Sequence, residues 1–336
     1  MQKKSVYGSI AVLAATLTSS FSGCAPPGAE GEAARDEPSF LEPETVENLL
    51  ATDIRKTDPL TPEEARHTFH VPEGFEVQLF AAEPDIGKPM NIAFDARGRL
   101  WVTQSREYPI AAEENTGQDR VTILEDTNHD GKADKFTVFA EDLNIPIGVM
   151  PVQGGAIAFS IPYIYRYFDL DGDDRADQRV VLFGKFGFRD THGMVSAFTR
   201  GFDGWVYACH GFNNVSTAQG ADGSAITMDS GNTFRFTLDG SRVEQFTYGQ
   251  VNPFGLTFDP LGNLYSVDSH TQPVYQLQRG GQYPHFTRLP TGLGFGPKMI
   301  DHAHGSTAIA GIVYYSANQF PEAFQDNVLT GDAKQL

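Results

Sequence analysis

A strand–turn–strand pattern recurs three times in this chain and restricts its fold more than any other feature. The copies span residues 90–105, 194–210 and 255–270. Each has an apolar strand, a turn of the form Asp-x-x-Gly or a close variant, and a second strand that carries an aromatic residue. Because one hairpin cannot bury its own apolar face, such repeats predict an architecture that stacks equivalent units.

The repeats extend into units of four short strands, which predicts a β-propeller. Unit starts near residues 90, 147, 193, 254 and 307 are separated by roughly 45 to 60 residues, the spacing of propeller blades with insertions. We therefore expect an all-β propeller domain of the six-bladed type over 59–336, ending after about four and a half blades. A β-sandwich is the alternative fold. The incomplete ring predicts that the sequence is a fragment of a longer reading frame.

The N-terminus predicts export and anchoring. Residues 1–24 have a basic start, a short apolar run and the ending Ser-Gly-Cys, so they indicate a lipoprotein signal peptide. Lipidation of Cys24 would anchor the protein to a membrane at the periplasmic or outer-surface face. Ordinary cleavage nearby, with Cys24 incidental, is the alternative. Residues 25–58 are rich in Ala, Glu and Pro and predict a flexible tether.

The charge balance restricts the partners. With 25 basic and 43 acidic residues the net charge is −18, which argues against nucleic acid as a partner and favours divalent cations.

Two acidic loops predict structural calcium sites. Both place oxygen-bearing side chains at alternate positions and close with a carboxylate, the pattern that surrounds a hard cation. Gly131 favours the first loop, and a hydrated turn is the alternative for both. The predicted ligands are Asp126, Asn128, Asp130 and Asp134 in the first loop, and Asp169, Asp171, Asp173 and Asp177 in the second.

Histidines at blade starts and strand ends are the candidates for catalysis. Inner strands of a propeller line its central channel, so residues distant in sequence converge there. His192 suits a general base, because a neutral imidazole can take a hydroxyl proton, and Asp190 or Asp268 would orient it. The alternative for each histidine is a hydrogen bond to a neighbouring blade. The candidates are His192, His210, His270, His302 and His304.

Several longer segments resemble one family. Residues 59–84, NIAFDARGRLWVTQSREYP, GQVNPFGLTFDPLGNLYSVDSHTQPVYQL and HAHGSTAIAGIVYY resemble the PVC-type membrane-bound dehydrogenases of planctomycetes and verrucomicrobia. That propeller family is similar, at a distance, to quinoprotein glucose dehydrogenase.

The resemblance implies a role for particular residues. Asp190-Thr191-His192 matches the segment that carries the catalytic histidine of quinoprotein sugar dehydrogenases. Asn252-Pro253-Phe254-Gly255 matches their Arg-Asn-Pro-x-Gly segment, with Val251 in place of the arginine. Implied partners are pyrroloquinoline quinone (PQQ) or a related cofactor, a small sugar or alcohol, and a cytochrome c electron acceptor. The implied cofactor-binding residues are Asn252, His210, Asp268, His270, His302 and His304.

The leading prediction is an exported, membrane-anchored propeller dehydrogenase that oxidises a sugar or alcohol with a quinone-type cofactor. A noncatalytic carbohydrate-binding or scaffold propeller is the first alternative. A calcium-dependent, lactonase-like hydrolase is the second.

Overall fold

The computed structural model of the protein describes residues 58–270, 274–285, 299 and 309–332. Every described helix and strand lies within the compact unit Leu60–Leu336. A short helix, α1 (Pro62–Arg66), begins at Thr61, whose hydroxyl accepts from the backbone N–H of Glu64 while its own N–H donates to the Glu64 carboxylate at 2.8 Å. Nowhere in the described ranges is there a helix with the length and apolar character needed to cross a bilayer.

The other described elements are twenty β-strands and a 3₁₀ turn at Glu322–Phe324. The strands are β1 (Pro89–Phe94), β2 (Leu100–Gln104), β3 (Asp119–Glu125), β4 (Lys135–Leu143), β5 (Val149–Val152), β6 (Gly155–Ser160), β7 (Tyr163–Phe168), β8 (Gln178–Phe183), β9 (Ser196–Arg200), β10 (Val206–His210), β11 (Val215–Gln219), β12 (Ala225–Asp229), β13 (Asn232–Phe236), β14 (Val243–Gly249), β15 (Pro253–Phe258), β16 (Leu264–Asp268), β17 (Val274–Leu277), β18 (Gln282–Tyr283), β19 (Ile309–Tyr315) and β20 (Asn327–Asp332).

Consecutive strands form separate antiparallel sheets, which are the blades. The first blade has the order β1-β2-β3-β4 and the second β5-β6-β7-β8. The third is β9-β10-β13-β14, with the hairpin β11-β12 inserted and β18 added in parallel at its outer edge. The fourth has β15-β16-β17, and β19-β20 form a further pair. A sandwich would gather the strands into two sheets packed face to face. The strands here form a series of separate sheets, which confirms the propeller.

The first strands of successive blades surround a common space. β1 neighbours β5, β5 neighbours β9, β9 neighbours β15, and β15 neighbours β19. A cavity of 610 Å³ between them is lined by these inner strands. Loops that begin or end these strands are therefore carried to the two ends of one axis.

Large aromatic side chains fill the space between the second and third blades. Phe159, Phe183 and Phe186 pack on Phe234 and Phe236, with 5.2 Å between the ring centroids of Phe183 and Phe236. Burial of one such side chain contributes about 1.5–3 kcal/mol. Each of these two blades thus needs the other to exclude water from its aromatic side chains.

The aspartate of each repeated turn also binds the aromatic residue of the following strand. Asp259 accepts hydrogen bonds from the backbone N–H groups of Leu261 and Asn263, at 2.9 and 2.8 Å, which closes the turn. In the three copies the aspartate–aromatic pairs are Asp95–Trp101 at 3.1 Å, Asp203–Tyr207 at 2.8 Å and Asp259–Tyr265 at 3.2 Å. The repeat therefore has a structural role in each of the three hairpins.

Candidate functional site

A histidine–aspartate pair lies on the loop between β8 and β9. The Nδ1 atom of His192 is 3.0 Å from Oδ1 of Asp190, and the backbone N–H of His192 donates to the same oxygen at 3.0 Å. The His192 side chain is 63% exposed, whereas that of Asp190 is 21% exposed. Among the described contacts Nε2 of His192 has no hydrogen-bond partner, so this nitrogen faces solvent.

Asn214 holds the loop that carries the pair. Its Oδ1 accepts the backbone N–H of Asp190 at 3.1 Å, and its Nδ2 donates to the carbonyl oxygens of Asp190 and Gly193 at 2.8 and 2.9 Å. Gly193 packs so closely on the next segment that a Cβ atom there would lie 2.3 Å from the carbonyl oxygen of Phe212. These contacts therefore fix the backbone of the loop that carries His192.

Asn252 connects the start of the fourth blade to this loop. Its Nδ2 donates to the carbonyl oxygen of His192 at 3.2 Å, and its Oδ1 accepts the backbone N–H of Phe212 at 3.2 Å. The side chain is buried. Asn252 thus positions the histidine loop through its backbone.

Asp268 fixes the backbone at the start of the fourth blade. It is buried, and its carboxylate accepts the backbone N–H groups of Val251, Asn252 and His270 at 2.8, 3.0 and 3.1 Å. In the described contacts, Asp190 rather than Asp268 orients the His192 ring.

One aromatic ring contacts the pair, and another packs on His270. Tyr108 meets His192 edge-on with 5.4 Å between ring centroids, and Phe212 lies 5.7 Å from His270. Burial raises the pKa of Tyr108, and the negative charge of Asp190 adds to that rise. Burial lowers the pKa of His270, whereas the charges of Asp268 and Asp190 oppose this. The Asp190 carboxylate therefore acts on both sides of the site.

His210 is enclosed. Its Nδ1 lies 2.8 Å from the carbonyl oxygen of Ser230 and its Nε2 lies 2.6 Å from the hydroxyl of Ser216, on the inserted hairpin. The ring is fully buried, and burial lowers its pKa. Both nitrogens are used inside the blade, so this predicted cofactor ligand lies beneath the site and not on its surface.

Three predicted residues fall outside the described part of the chain, namely His302, His304 and Cys24. Two residues at the site, Asn214 and Lys88, were not predicted from the sequence. Asn214 follows the second copy of the hairpin as a polar exit residue, which was its only signal. Lys88, whose Nζ donates to the carbonyl oxygen of Tyr108 at 2.6 Å, carried none.

The two acidic loops differ in how their oxygens are arranged. In the second loop one oxygen each from Asp169, Asp171 and Asp177 lies within 4.8 Å of the others. The fourth predicted ligand, Asp173, is outside this group, and its Oδ1 accepts the backbone N–H of Arg175 at 2.9 Å. Three converging carboxylates are a suitable start for a calcium shell.

In the first loop the side chains close the turn on itself. Asp126 accepts the backbone N–H groups of Asp130 and Gly131 at 3.2 and 2.7 Å, and Asp134 accepts both the backbone N–H and the hydroxyl of Thr127. Asn128 Nδ2 donates to the Asp130 carboxylate at 3.2 Å. Among described residues only the second loop brings three carboxylates together, the reverse of the order that Gly131 favours.

Four-stranded sheets around one axis, with a histidine–aspartate pair on the loop that enters the third blade, define a β-propeller with a candidate active site. The chain belongs to the family described as a domain of unknown function, DUF7133, which matches residues 61–335. No curated protein matches the chain.

The chain is similar to several solved structures at low sequence identity. The PQQ-bound aldose sugar dehydrogenase of Streptomyces coelicolor is 18% identical, with a TM-score of 0.46, and the match covers 68% of this chain and 72% of that one. An oxidoreductase (glucose dehydrogenase) of Thermus thermophilus is 15% identical, with a TM-score of 0.44 and coverage of 68% and 74%. A protein described as a gluconolactonase is 16% identical, with a TM-score of 0.39 and coverage of 70% and 74%.

Proposed function

We propose that the protein is an oxidoreductase that oxidises an alcohol group of a sugar or another small alcohol, with His192 as the general base. One observation carries the proposal: an exposed imidazole whose Nδ1 is held 3.0 Å from a carboxylate, with Nε2 open to a ligand. A positioned base of this kind typically contributes about 10²–10⁴-fold to a reaction rate.

Asp190 fits the role of a positioning residue. When the Nδ1–H group of His192 donates a hydrogen bond to Asp190, Nε2 carries the lone pair of the ring. A substrate hydroxyl would approach at Nε2. The hydroxyl proton would pass to Nε2, and the negative charge of Asp190 would stabilise the resulting imidazolium. Tyr108 offers aromatic surface beside His192 for the carbon skeleton of a sugar.

A quinone-type cofactor would supply the hydride acceptor, but the described residues do not fit one held through position 251. Val251 is fully buried, and its backbone N–H is bonded to Asp268. The negative charges of Asp190 and Asp268 both affect the pKa of His270. Carboxylates at this place would repel the acidic groups of PQQ. Proton removal is therefore the step that we assign to this chain.

The buried Val251 favours a second candidate function, hydrolysis of a lactone. The same pair, Asp190 and His192, can take a proton from water instead of from an alcohol, so that hydroxide attacks the lactone carbonyl. The ring C–O bond then breaks, and Nε2 returns the proton to the leaving alkoxide. No redox cofactor is needed for this reaction. Calcium in the second acidic loop would support the fold in both cases.

Turnover assays separate these functions. Purified protein with PQQ and calcium is tested for dye reduction on a panel of sugars and alcohols, and without PQQ for lactone hydrolysis. The first function requires substrate-dependent dye reduction that is lost in His192→Ala and kept in the control His67→Ala, an exposed histidine beside α1. Unchanged turnover in His192→Ala contradicts the assignment of the base.

Other outcomes of the same panel point elsewhere. Hydrolysis of lactones without PQQ, lost in His192→Ala, establishes the second function and overturns the first. Binding of sugars without turnover in either assay indicates a noncatalytic carbohydrate-binding propeller.

We also propose export and anchoring through a lipidated Cys24, with a cytochrome c as electron acceptor. The support is the signal-like sequence at 1–24 and the resemblance of the chain to membrane-bound dehydrogenases. Expression in a bacterial host with labelled fatty acid tests the anchor. Label in the membrane fraction that disappears in Cys24→Ala supports it, whereas unlabelled protein in both forms contradicts it.

A further inference from the structure

A small cavity of 160 Å³ lies between the first two blades and includes neither residue of the histidine–aspartate pair. One wall is the loop between β2 and β3, with Ala112 and Glu114, and the other is formed by β7, β8 and the residues after β8. Sites for drug-sized ligands have volumes of about 300–1,000 Å³. A cavity of this size therefore suits a compact ligand such as a single sugar unit.

Hydrogen bonds hold the two walls together. The Asn144 side chain exchanges two hydrogen bonds with the backbone of Ala112, at 3.1 and 2.9 Å, and its backbone N–H donates to the hydroxyl of Ser160 at 2.9 Å. Gly184 leaves room for Tyr163, because a Cβ atom there would lie 2.5 Å from its ring. The cavity is thus a built feature of the blade junction.

Two cations, Arg179 and Lys185, line the cavity. The Arg179 guanidinium lies 5.0 Å from the ring centroid of Tyr165, and Lys185 lines the same cavity. Within the described ranges neither cation has a carboxylate within 4.0 Å. A guanidinium stacked on an aromatic ring keeps an N–H edge available for a bidentate carboxylate.

Acceptors and aromatic faces complete the lining. The carboxylates of Glu114 and Asp142 are exposed and, among the described residues, likewise have no cation within 4.0 Å. Burial raises the pKa of Tyr165, Arg179 opposes the rise and Glu114 adds to it. Charges of both signs therefore act at this one ring. The rings of Tyr165 and Phe188 present apolar surface to the same space.

We propose that this cavity binds a small hydroxylated carboxylate, the chemistry of a sugar acid. The carboxylate would bind Arg179 and Lys185, the hydroxyls would donate to Glu114 and Asp142, and the carbon face would rest on Tyr165. This binding site goes beyond the proposed reaction, because it needs neither turnover nor the histidine–aspartate pair.

Isothermal titration calorimetry with glucuronate, glucose and serine tests the proposal directly. We expect glucuronate to bind, and Arg179→Gln to weaken it about tenfold or more, the factor for loss of a charge-assisted hydrogen bond. Neutral glucose lacks the carboxylate and is expected to bind at least about tenfold more weakly. The control Arg97→Gln changes an exposed arginine on the β1–β2 turn, outside the cavity, and should bind as the unaltered protein does.

Three results overturn the proposal: no heat with glucuronate, equal affinity for glucose and glucuronate, or unchanged affinity in Arg179→Gln. Binding of serine without glucuronate also overturns it, because it would point to a zwitterion site. Lys185→Gln serves as the second variant if Arg179→Gln fails to fold. His192→Ala should bind glucuronate normally, so failure here is distinguishable from failure of the proposed reaction.

Discussion

The side-chain amide of Asn252 donates to the carbonyl oxygen of His192 at 3.2 Å, so a residue that begins the fourth blade fixes the loop that begins the third. The same side chain accepts the backbone N–H of Phe212 through Oδ1. Geometry at the proposed base therefore depends on contact between blades as well as on the loop itself.

Asn252→Asp separates the two contacts. The aspartate keeps an acceptor for Phe212 but places a second oxygen against the carbonyl oxygen of His192. We expect a loss of about 1–3 kcal/mol in the free energy of unfolding, the cost of a buried polar group without its partner. Urea denaturation measures this loss. The control is Asn213→Asp, which changes an exposed residue next to Phe212. Equal stability of Asn252→Asp and the unaltered protein would contradict the contact.

Glu107 is a half-buried residue whose Oε2 atom is buried, and it should limit stability at neutral pH. Its Oε1 accepts the backbone N–H of Gln118 at 2.8 Å, and Oε2 is buried towards Asp119. Burial raises the pKa of Glu107, and the neighbouring Asp119 carboxylate adds to the rise. The folded protein thus favours the protonated form, so this group stabilises the fold below its ordinary pKa, and the contribution is lost as pH rises through the raised value.

Glu107→Gln keeps a donor for Asp119 at every pH. We expect the variant to melt at a higher temperature than the unaltered protein at about pH 7.5, and the difference to vanish at about pH 4. Thermal melts followed by circular dichroism over this range measure the change. A lower melting temperature for Glu107→Gln at neutral pH would rule out the proton-sharing pair.

The contribution of His210 to stability should depend on pH in the opposite sense to that of Glu107. Burial lowers its pKa in the folded protein, so the unfolded chain binds a proton more readily. Its contribution to stability is complete above the ordinary histidine pKa of 6.5 and is lost as pH falls below that value.

In His210→Gln the loss of stability between about pH 7 and 5 should be smaller than in the unaltered protein. Urea denaturation across this range measures the slopes, and the exposed His67→Ala is the control. Parallel slopes in all three proteins would show that His210 does not titrate on unfolding.

The second acidic loop provides a matched pair of variants for calcium. Asp171 belongs to the group of converging oxygens, whereas Asp173, two positions later, does not, although each accepts a backbone N–H within the loop. Because a ligand that binds the folded state stabilises it, calcium should raise the melting temperature of the unaltered protein and of Asp173→Asn. It should raise that of Asp171→Asn less.

Equal responses of the two variants would exclude the second loop as the calcium site. Asp126→Asn tests the first loop in the same series. A calcium response that is lost only in Asp126→Asn would restore the order that the sequence favours.

The turn aspartates should matter more than their exposed neighbours. Asp259 is 7% exposed and binds two backbone N–H groups together with the side chains of Asn263 and Tyr265. Asp259→Ala should lose about 2–4 kcal/mol of unfolding free energy because several partners are left unpaired. Leu261→Ala changes the 88% exposed residue of the same turn and should be neutral. Similar losses in both variants would contradict the role of the carboxylate.

Much of the fold could be predicted from sequence because its determinants are local. Each turn aspartate lies within six residues of the aromatic side chain that it binds, and alternating apolar residues mark the strands. Asp190 and His192 are two positions apart, so their pairing follows from one loop.

The rest depends on contacts between distant segments. Asn252 lies sixty positions from His192, and only the stacking of blades places them together. His210 was expected to face a cofactor, but the insertion after it forms the hairpin β11-β12, whose Ser216 takes one ring nitrogen. Nothing in the local pattern of strand β10 indicates that this hairpin would cover it.

The order of strands in the sheets also bears on how the chain is made. Since each of the first two blades consists of four strands in succession, its hydrogen bonds join segments only a few residues apart and cost little loop-closure entropy. A blade can form as soon as its segment leaves the ribosome, yet its aromatic face stays wet until the following blade arrives. Synthesis therefore passes through partly built rings with exposed phenylalanines, the stage at which the nascent protein most needs protection from aggregation.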